Sequence, residues 1–149
     1  MSETKSLHLM EAGEELAPFE FLVTPELNQQ YLYAIEDFNP IYIDGDESTG
    51  PVVHPAILLN MSNRTRSPSF YLEPGWAAIH AADDAQFVNP ASVGKRFRVT
   101  WKVELVYERR GRPWQTMNVL IVDEDGTEIL RRKSHGTFAA QGLSKKQEG

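Results

Sequence analysis

The 149-residue chain contains no cysteine, which excludes disulfide bonds and cysteine-ligated metal sites within it. It also lacks any apolar run approaching the roughly 20 residues that a membrane-spanning helix needs. Positive charge is scarce too, since 15 Lys and Arg stand against 21 Asp and Glu, a net charge of −6. We therefore expect no nucleic-acid partner and no membrane binding, and a small anionic ligand would need a local basic patch.

The composition that remains is that of a globular domain, with 41% hydrophobic and 24% charged residues. The opening residues have no apolar core of the kind that a signal peptide carries, so we expect a cytoplasmic protein. We predict three segments along the chain. They are a polar N-terminal extension over residues 1–17, a single domain over 18–140 and a flexible tail over 141–149.

Two helices are predicted, each with a proline at its first position. Thr24 is a typical N-cap before Pro25, and apolar residues then recur at helical spacing. The predicted apolar stripe consists of Leu27, Tyr31, Ala34 and Ile35. This helix must end before Pro40, because proline disfavours the helical conformation of the residue before it. After a loop over residues 37–54, a second helix is predicted over 55–66, and its apolar start indicates burial.

The rest of the domain has the patterns of β-strands. Over residues 96–107, apolar side chains occupy every second position from Phe97 to Tyr107, which predicts a strand with one buried face. Further strands are predicted over residues 18–23, from Ala77 onward, over 113–122 and over 127–139. The order of elements predicts an α+β fold, in which one buried helix packs on an antiparallel sheet.

Polar side chains concentrate in the loop between the two helices. Asp37, Asn39 and Tyr42 lie near its start, and His54 stands at its end. Asp37 and Asn39 could serve only to turn the chain before a proline, as Asx residues often do. His54 could likewise be only a helix cap. The alternative is a reactive site, in which a carboxylate and an imidazole move protons. His80, on a predicted strand, could face the same pocket across a subunit boundary.

A family resemblance rests on the pattern Asp37-x-Asn39-Pro40-Ile41, with Pro51 and His54 before the apolar helix. It resembles the MaoC-like hydratases and dehydratases over about residues 18–139. The resemblance implies a hot-dog fold, an antiparallel sheet wrapped around a central buried helix. It also implies activity on acyl-CoA or acyl-carrier thioesters, as in R-specific enoyl-CoA hydratases, and a homodimer or larger even assembly. No cofactor and no metal site are expected, since the four His are scattered.

The chain departs from the family pattern at two positions. The family pairs Asp with His five residues later to hold and deprotonate water, but here Asp37 is followed by Tyr42. The family also has a glycine after His54, whose N–H the resemblance implies as a donor to the thioester carbonyl. Pro55 stands there and has no N–H. The Ala56 N–H is then the nearest substitute donor.

The resemblance assigns roles to these residues. Asp37 is expected to act as the base and Asn39 to position water. The Ala56 N–H, at the Pro55 turn, or the Tyr42 phenol would hold the carbonyl. His54 or His80 would supply the imidazole that the family has elsewhere.

The sequence is compatible with three functions. The first is a hydratase or dehydratase with altered chemistry. The second is a non-catalytic thioester-binding protein, or a partner subunit of a catalytic homologue, which Tyr42 and Pro55 favour. The third is a hot-dog thioesterase in which Asp37 activates water. Arg64 and Arg66, after the buried helix, could bind CoA phosphates or be solvated charges. The same alternatives hold for the basic residues Arg109, Arg110, Arg112, Arg131, Arg132 and Lys133.

Overall fold

Five strands and three α-helices make up the part of the chain that the structure, a computed structural model, describes: residues 4–141. They are β1 Glu15–Leu22, α1 Pro25–Ile35, α2 Pro40–Ile43, α3 Pro55–Met61, β2 Trp76–Phe87, β3 Arg96–Arg109, β4 Arg112–Asp123 and β5 Glu128–Ala140. Short 3₁₀-helices cover Leu7–Leu9 and Arg64–Arg66. None of the helices in this range is long and apolar enough to cross a membrane.

The five strands form one antiparallel sheet in the order β1-β3-β4-β5-β2. A two-residue turn joins β3 to β4, and the strands close on the pair Arg109 and Arg112. Arg110 and Gly111 both have positive φ, 53° and 75°, which matches the twist of a hairpin. Both β1 and β2 are edge strands, and β2 is exposed along residues 79–87. The predicted antiparallel sheet is confirmed.

The buried face of β3 supplies much of the core. Phe97, Val99, Trp101 and Val103 are almost completely buried. The predicted alternation does not continue to Tyr107, because the pairing of β3 with β4 shifts between Val103 and Leu105. Such a bulge changes which face the following side chains occupy. Leu105 is consequently 51% exposed, where the sequence pattern predicted burial.

Helix α3 packs against this core through Ile57 and Leu58, both buried. It begins at Pro55 as predicted but ends at Met61, five residues before the predicted end at 66. Ser62 donates its hydroxyl to the Leu59 carbonyl, and its own carbonyl accepts from the Trp101 indole N–H at 2.8 Å. The carbonyls at this end therefore have partners outside the helix, which allows the helix to stop there.

Helix α1 has the predicted start but buries a different face. Thr24 caps it by accepting from the Leu27 N–H at 3.1 Å. The buried residues are Asn28 and Leu32, whereas Leu27 and Ile35 are exposed. The apolar stripe predicted through Leu27 and Ile35 is therefore wrong. Hydrogen bonds from the Asn28 amide to loop carbonyls turn the other side of the helix inward.

The N-terminal residues are more ordered than a polar extension over 1–17 would be. Leu7 and Met10 are buried in the core, and the Leu7 N–H donates to the Tyr71 carbonyl at 2.8 Å. Strand β1 begins at Glu15, three residues inside the predicted extension. Residues 7–17 thus pack with the domain that we predicted over 18–140. Of the predicted tail, residues 142–149 lie outside the described residues.

Candidate active site

The turn after α1 is built by two side chains of the predicted site. The Asp37 Oδ1 atom accepts from the Asn39 N–H, and Asn39 Oδ1 accepts from the Ile41 N–H, both at 3.1 Å. Asn39 is thereby the N-cap of α2, a short helix inside the stretch that we predicted to be only loop. These residues do turn the chain, but the second Asp37 oxygen, Oδ2, remains available for another partner.

That partner is His54, at the head of α3. His54 Nδ1 accepts from the Ala56 N–H at 3.1 Å, which makes His54 the N-cap of the helix. A backbone N–H can only donate, so the proton of the neutral imidazole lies on Nε2. His54 Nε2 is 3.2 Å from Asp37 Oδ2, and it donates to that oxygen. His54 is therefore both a helix cap and one half of an Asp37–His54 dyad.

Two tyrosine rings enclose the imidazole of the dyad. The ring centroid of His54 lies 4.9 Å from that of Tyr42 and 5.3 Å from that of Tyr31, both tilted. The side chain of His54 is only 15% exposed, while that of Asp37 is 35% exposed. A ligand can therefore reach the carboxylate more easily than the imidazole. The Tyr42 phenol has no hydrogen-bond partner among the described residues.

A buried asparagine on α1, which sequence reasoning missed, holds this arrangement together. Asn28 Oδ1 accepts from the His54 N–H at 3.2 Å. Its Nδ2 donates to the carbonyls of Tyr42 at 3.1 Å and Val52 at 3.4 Å. One amide thus fixes both ends of the loop that carries the dyad. The signal in the sequence is weak: Asn28 lies four residues before Leu32, on one face of the helix.

The backbone N–H groups in the first turn of α3 are not free to bind a thioester carbonyl. Pro55 has no N–H, and the Ala56 N–H already donates to His54 Nδ1. The next donor, the Ile57 N–H, is bonded to the His54 carbonyl at 3.0 Å. The Ala56 donor that we predicted is therefore released to a ligand only when the imidazole turns away.

His80 lies apart from the dyad within one chain. It is on β2, exposed, and its Nε2 is 3.6 Å from Asp83 Oδ2. The prediction that His80 reaches Asp37 from a second subunit stays a prediction. Within residues 4–141, no group of three or more His, Asp and Glu side chains is arranged to hold a metal ion.

A small cavity lies next to Asn28 and Tyr42, the two residues that bond to and pack on His54. Its volume is about 140 Å³, and its walls include neither Asp37 nor His54. Sites for small organic ligands usually have about 300 Å³ or more. This recess is therefore too small to be such a site within one chain.

Comparison with solved structures identifies the architecture. A MaoC-like dehydratase from Rhodospirillum rubrum matches with a TM-score of 0.76 at 14% identity, over 93% of this chain and 99% of that one. An (R)-hydratase from A. caviae, involved in PHA biosynthesis, matches with a TM-score of 0.66 at 17% identity, over 86% and 96%. The chain has a hot-dog fold. The predicted wrapping of an antiparallel sheet around α3 is thus confirmed.

Hot-dog proteins of another activity match as well. A variant of the fluoroacetyl-CoA-specific thioesterase FlK, solved with fluoroacetate and CoA, has a TM-score of 0.61 at 21% identity, over 92% of this chain and 99% of that one. No protein-family model and no curated protein matches the chain. At these identities the likeness shows the hot-dog fold, and hydratases and thioesterases share it.

Proposed function

We propose that this protein is a hot-dog hydratase or dehydratase that adds water to, or removes it from, an acyl thioester, with Asp37 and His54 as its reacting pair. The observation that carries the proposal is the 3.2 Å contact between Asp37 Oδ2 and His54 Nε2 at the head of α3. It supports an Asp–His pair assembled from His54, although Tyr42 occupies the family's usual His position. The fold of the neighbouring hydratases supports the substrate class.

Asp37 is the proposed base. In hydration, its carboxylate takes a proton from water while the water oxygen bonds to C3 of the enoyl thioester. The C2–C3 π electrons move toward the thioester carbonyl and form an enolate. The Asp37 carboxyl then returns its proton to C2, so that the net change is the addition of one water. His54 holds the orientation of the carboxylate, and Asn39 is proposed to position the water.

The enolate oxygen needs a donor in this scheme. The Tyr42 phenol is the proposed first choice, because it stands beside the imidazole without a partner among residues 4–141. The Ala56 N–H is the second, once His54 Nδ1 gives up its bond. A donor of this kind contributes about 3–4 kcal/mol to transition-state stabilisation in comparable enzymes.

We propose a homodimer or a larger even assembly, which would complete the recess beside the dyad. Strand β2 is a long, exposed edge strand of this sheet, with unpaired backbone groups available along it. His80 lies on that strand and would approach the Asp37 of a second copy. The proposed partners are therefore another copy of the chain and an acyl-CoA or acyl-carrier thioester.

A thioesterase is the second candidate, supported by the fold that the chain shares with FlK. In that reaction Asp37 would activate water against the carbonyl carbon, and the thiolate would leave as the thiol. A non-catalytic binding protein or partner subunit is the remaining alternative. Tyr42 and Pro55 favour it, because each removes a group that the family uses.

One assay separates these functions. The protein is incubated with enoyl-CoA and saturated acyl-CoA esters of several chain lengths, and both the conjugated-thioester absorbance and free thiol are followed. We expect loss of the enoyl absorbance without thiol release. Asp37→Asn should lower that rate about 10²–10⁴-fold. The matched control is Asp44→Asn, in the same loop, which should leave the rate unchanged.

The other outcomes are equally clear. Thiol release that depends on Asp37 would assign the thioesterase. Absence of turnover on every ester, with the folded assembly verified by light scattering, would contradict both enzymes and support a binding role.

A further inference from the structure

A second cavity lies at the other end of α3, about 10 Å along the helix from the dyad. Its volume is about 320 Å³, within the usual range for small-ligand sites. Its walls are partly apolar, with Phe70, Trp101 and Met117 among them. Its polar wall carries two arginines, Arg64 and Arg132. The cavity therefore combines apolar walls with a local basic patch.

The two arginines differ in how well they are paired. Arg132 is fully engaged: its Nε and Nη2 atoms bind the Asp83 carboxylate at 2.6 and 2.5 Å. Its Nη1 donates to the Leu59 carbonyl, Ser62 Oγ and Asn63 Oδ1. The charge of Arg132 is thus matched by that of Asp83, and each of its guanidinium nitrogens has an acceptor.

Arg64 has neither. Within residues 4–141 its guanidinium has no carboxylate within 4.0 Å and no hydrogen-bond acceptor, although it is half-buried. Burial first, and then the charge of Arg132, lowers the pKa of the Arg64 guanidinium from its ordinary value. The guanidinium lies over the Phe138 ring, with its Cζ atom 5.8 Å from the ring centroid. A desolvated cation beside a second cation is unfavourable unless an anion neutralises it.

Gly136, on β5, lies beside this guanidinium. A Cβ atom on Gly136 would lie 2.9 Å from the Ile79 carbonyl oxygen, and 3.5 Å and 3.6 Å from Arg64 Nη1 and Nη2. Close pairing of β5 with β2 therefore favours glycine at this position, and the Arg64 head group packs against it. Among residues 4–141 the guanidinium has packing contacts but no counter-ion.

We propose that this cavity binds a small organic carboxylate, with the carboxylate on Arg64 and the apolar body against the partly exposed Phe70 and Ala78. Arginine presents two parallel N–H groups that match both oxygens of a carboxylate. Thr65 and His80, also in the wall, are placed to supply further donors. The apolar part of the wall favours an organic carboxylate over inorganic phosphate. Within one chain this site lies at the opposite end of α3 from the dyad, and the proposal does not depend on the proposed reaction.

Binding of benzoate, with benzamide as its neutral match and inorganic phosphate as the second anion, tests the proposal. Benzoate should raise the melting temperature by about 5 °C at a hundredfold excess over its Kd. Benzamide and phosphate should raise it much less. Titration calorimetry on Arg64→Met should show benzoate affinity reduced about tenfold or more, whereas Arg98→Met, an exposed control on β3, should keep it.

The unliganded variant provides a second readout. Because Arg64 lacks a counter-ion, Arg64→Met should melt at the same temperature as the parent protein or higher when no ligand is present. Equal effects of benzoate and benzamide would reduce the site to an apolar recess and overturn the proposal. Binding of phosphate alone would also overturn the proposal. A melting temperature and a dimer content that fall together in Arg64→Met would do the same, because they would indicate that a carboxylate of a second copy is bound to Arg64.

Discussion

Each end of helix α3 carries a carboxylate paired with a basic side chain, but the hydrogen-bonding groups of the two pairs are satisfied to different degrees. At the C-terminal end, the Arg132–Asp83 pair is buried on the arginine side, and Asp83 also accepts from Ser134 Oγ at 2.8 Å. At the N-terminal end, Asp37 and His54 share one contact of 3.2 Å, and the carboxylate is open to solvent.

That difference separates a structural role from a chemical one. Arg132 joins β5, β2 and the end of α3, and each of its three guanidinium nitrogens already has an acceptor. A pair in that condition holds elements together. Asp37 retains lone pairs facing solvent, so it can accept a proton from a ligand or from water.

Asp83→Asn should destabilise the fold by about 2–4 kcal/mol, because it leaves the buried Arg132 guanidinium without a counter-charge. Urea unfolding of the purified protein measures the change. Asp84→Asn is the matched control, since the Asp84 side chain is 83% exposed and lies next to Asp83 in sequence. We expect less than about 0.5 kcal/mol for the control. Equal losses in the two variants would remove the structural role from the Arg132 cluster.

Asn28→Ala should cost about 2–3 kcal/mol of unfolding free energy, since it leaves the His54 N–H and two loop carbonyls without their partner. It should also lower any Asp37-dependent turnover, because the loop that positions the dyad is released. Gln29→Ala, on the exposed side of α1, is the control for both measurements. Unchanged turnover in a folded Asn28→Ala protein would argue against a positioning role for Asn28.

Tyr42→His should keep more hydration of enoyl-CoA than Tyr42→Phe, because an imidazole N–H can donate to the enolate oxygen as the phenol does, whereas a phenyl ring cannot. Tyr42→Phe is the companion variant, which removes only the phenol oxygen. If Tyr42 holds the carbonyl, Tyr42→Phe should be slower than the parent protein. If Tyr42 only packs on His54, the rate should not change. The spectrophotometric enoyl-CoA assay measures both variants.

Acid should narrow the stability difference between the parent protein and Asp83→Asn. Burial raises the pKa of Asp83, but the hydrogen bonds from Arg132 and Ser134 outweigh it, and the pKa is lowered from its ordinary value. A lowered carboxyl pKa stabilises the fold above the unfolded value, about 3.9, and this contribution is lost as the pH falls through the folded value. The difference should be constant above about pH 5 and shrink below about pH 4. A stability difference that is the same above about pH 5 and below about pH 4 would contradict this expectation.

Much of this fold could be predicted because its elements are encoded locally. The starts of α1 and α3 follow from Thr24, Pro25 and Pro55, and the hairpin at Gly111 follows from its turn residues. The burial of Phe97, Val99, Trp101 and Val103 follows from their alternation. These predictions rest on the conformational preferences of short stretches of backbone.

The candidate site was predictable in its members but not in its contacts. Asp37, Asn39 and His54 stand out in the sequence, yet their geometry depends on residues far along the chain. The bulge that exposes Leu105, the early end of α3 and the inward turn of Asn28 each result from packing between distant segments. Local patterns contain no information about such pairings.

From the sequence alone one could name the residues able to do chemistry: one carboxylate and one histidine in a loop of this chain, with a tyrosine and a proline beside them. What each group is bonded to depends on the fold. The fold directs the proton of His54 toward Asp37, uses the Ala56 N–H in a helix cap, and leaves Arg64 without a counter-ion among residues 4–141. The physical reason is that the availability of a donor, an acceptor or a charge depends on its neighbours in space, and folding alone brings those neighbours together.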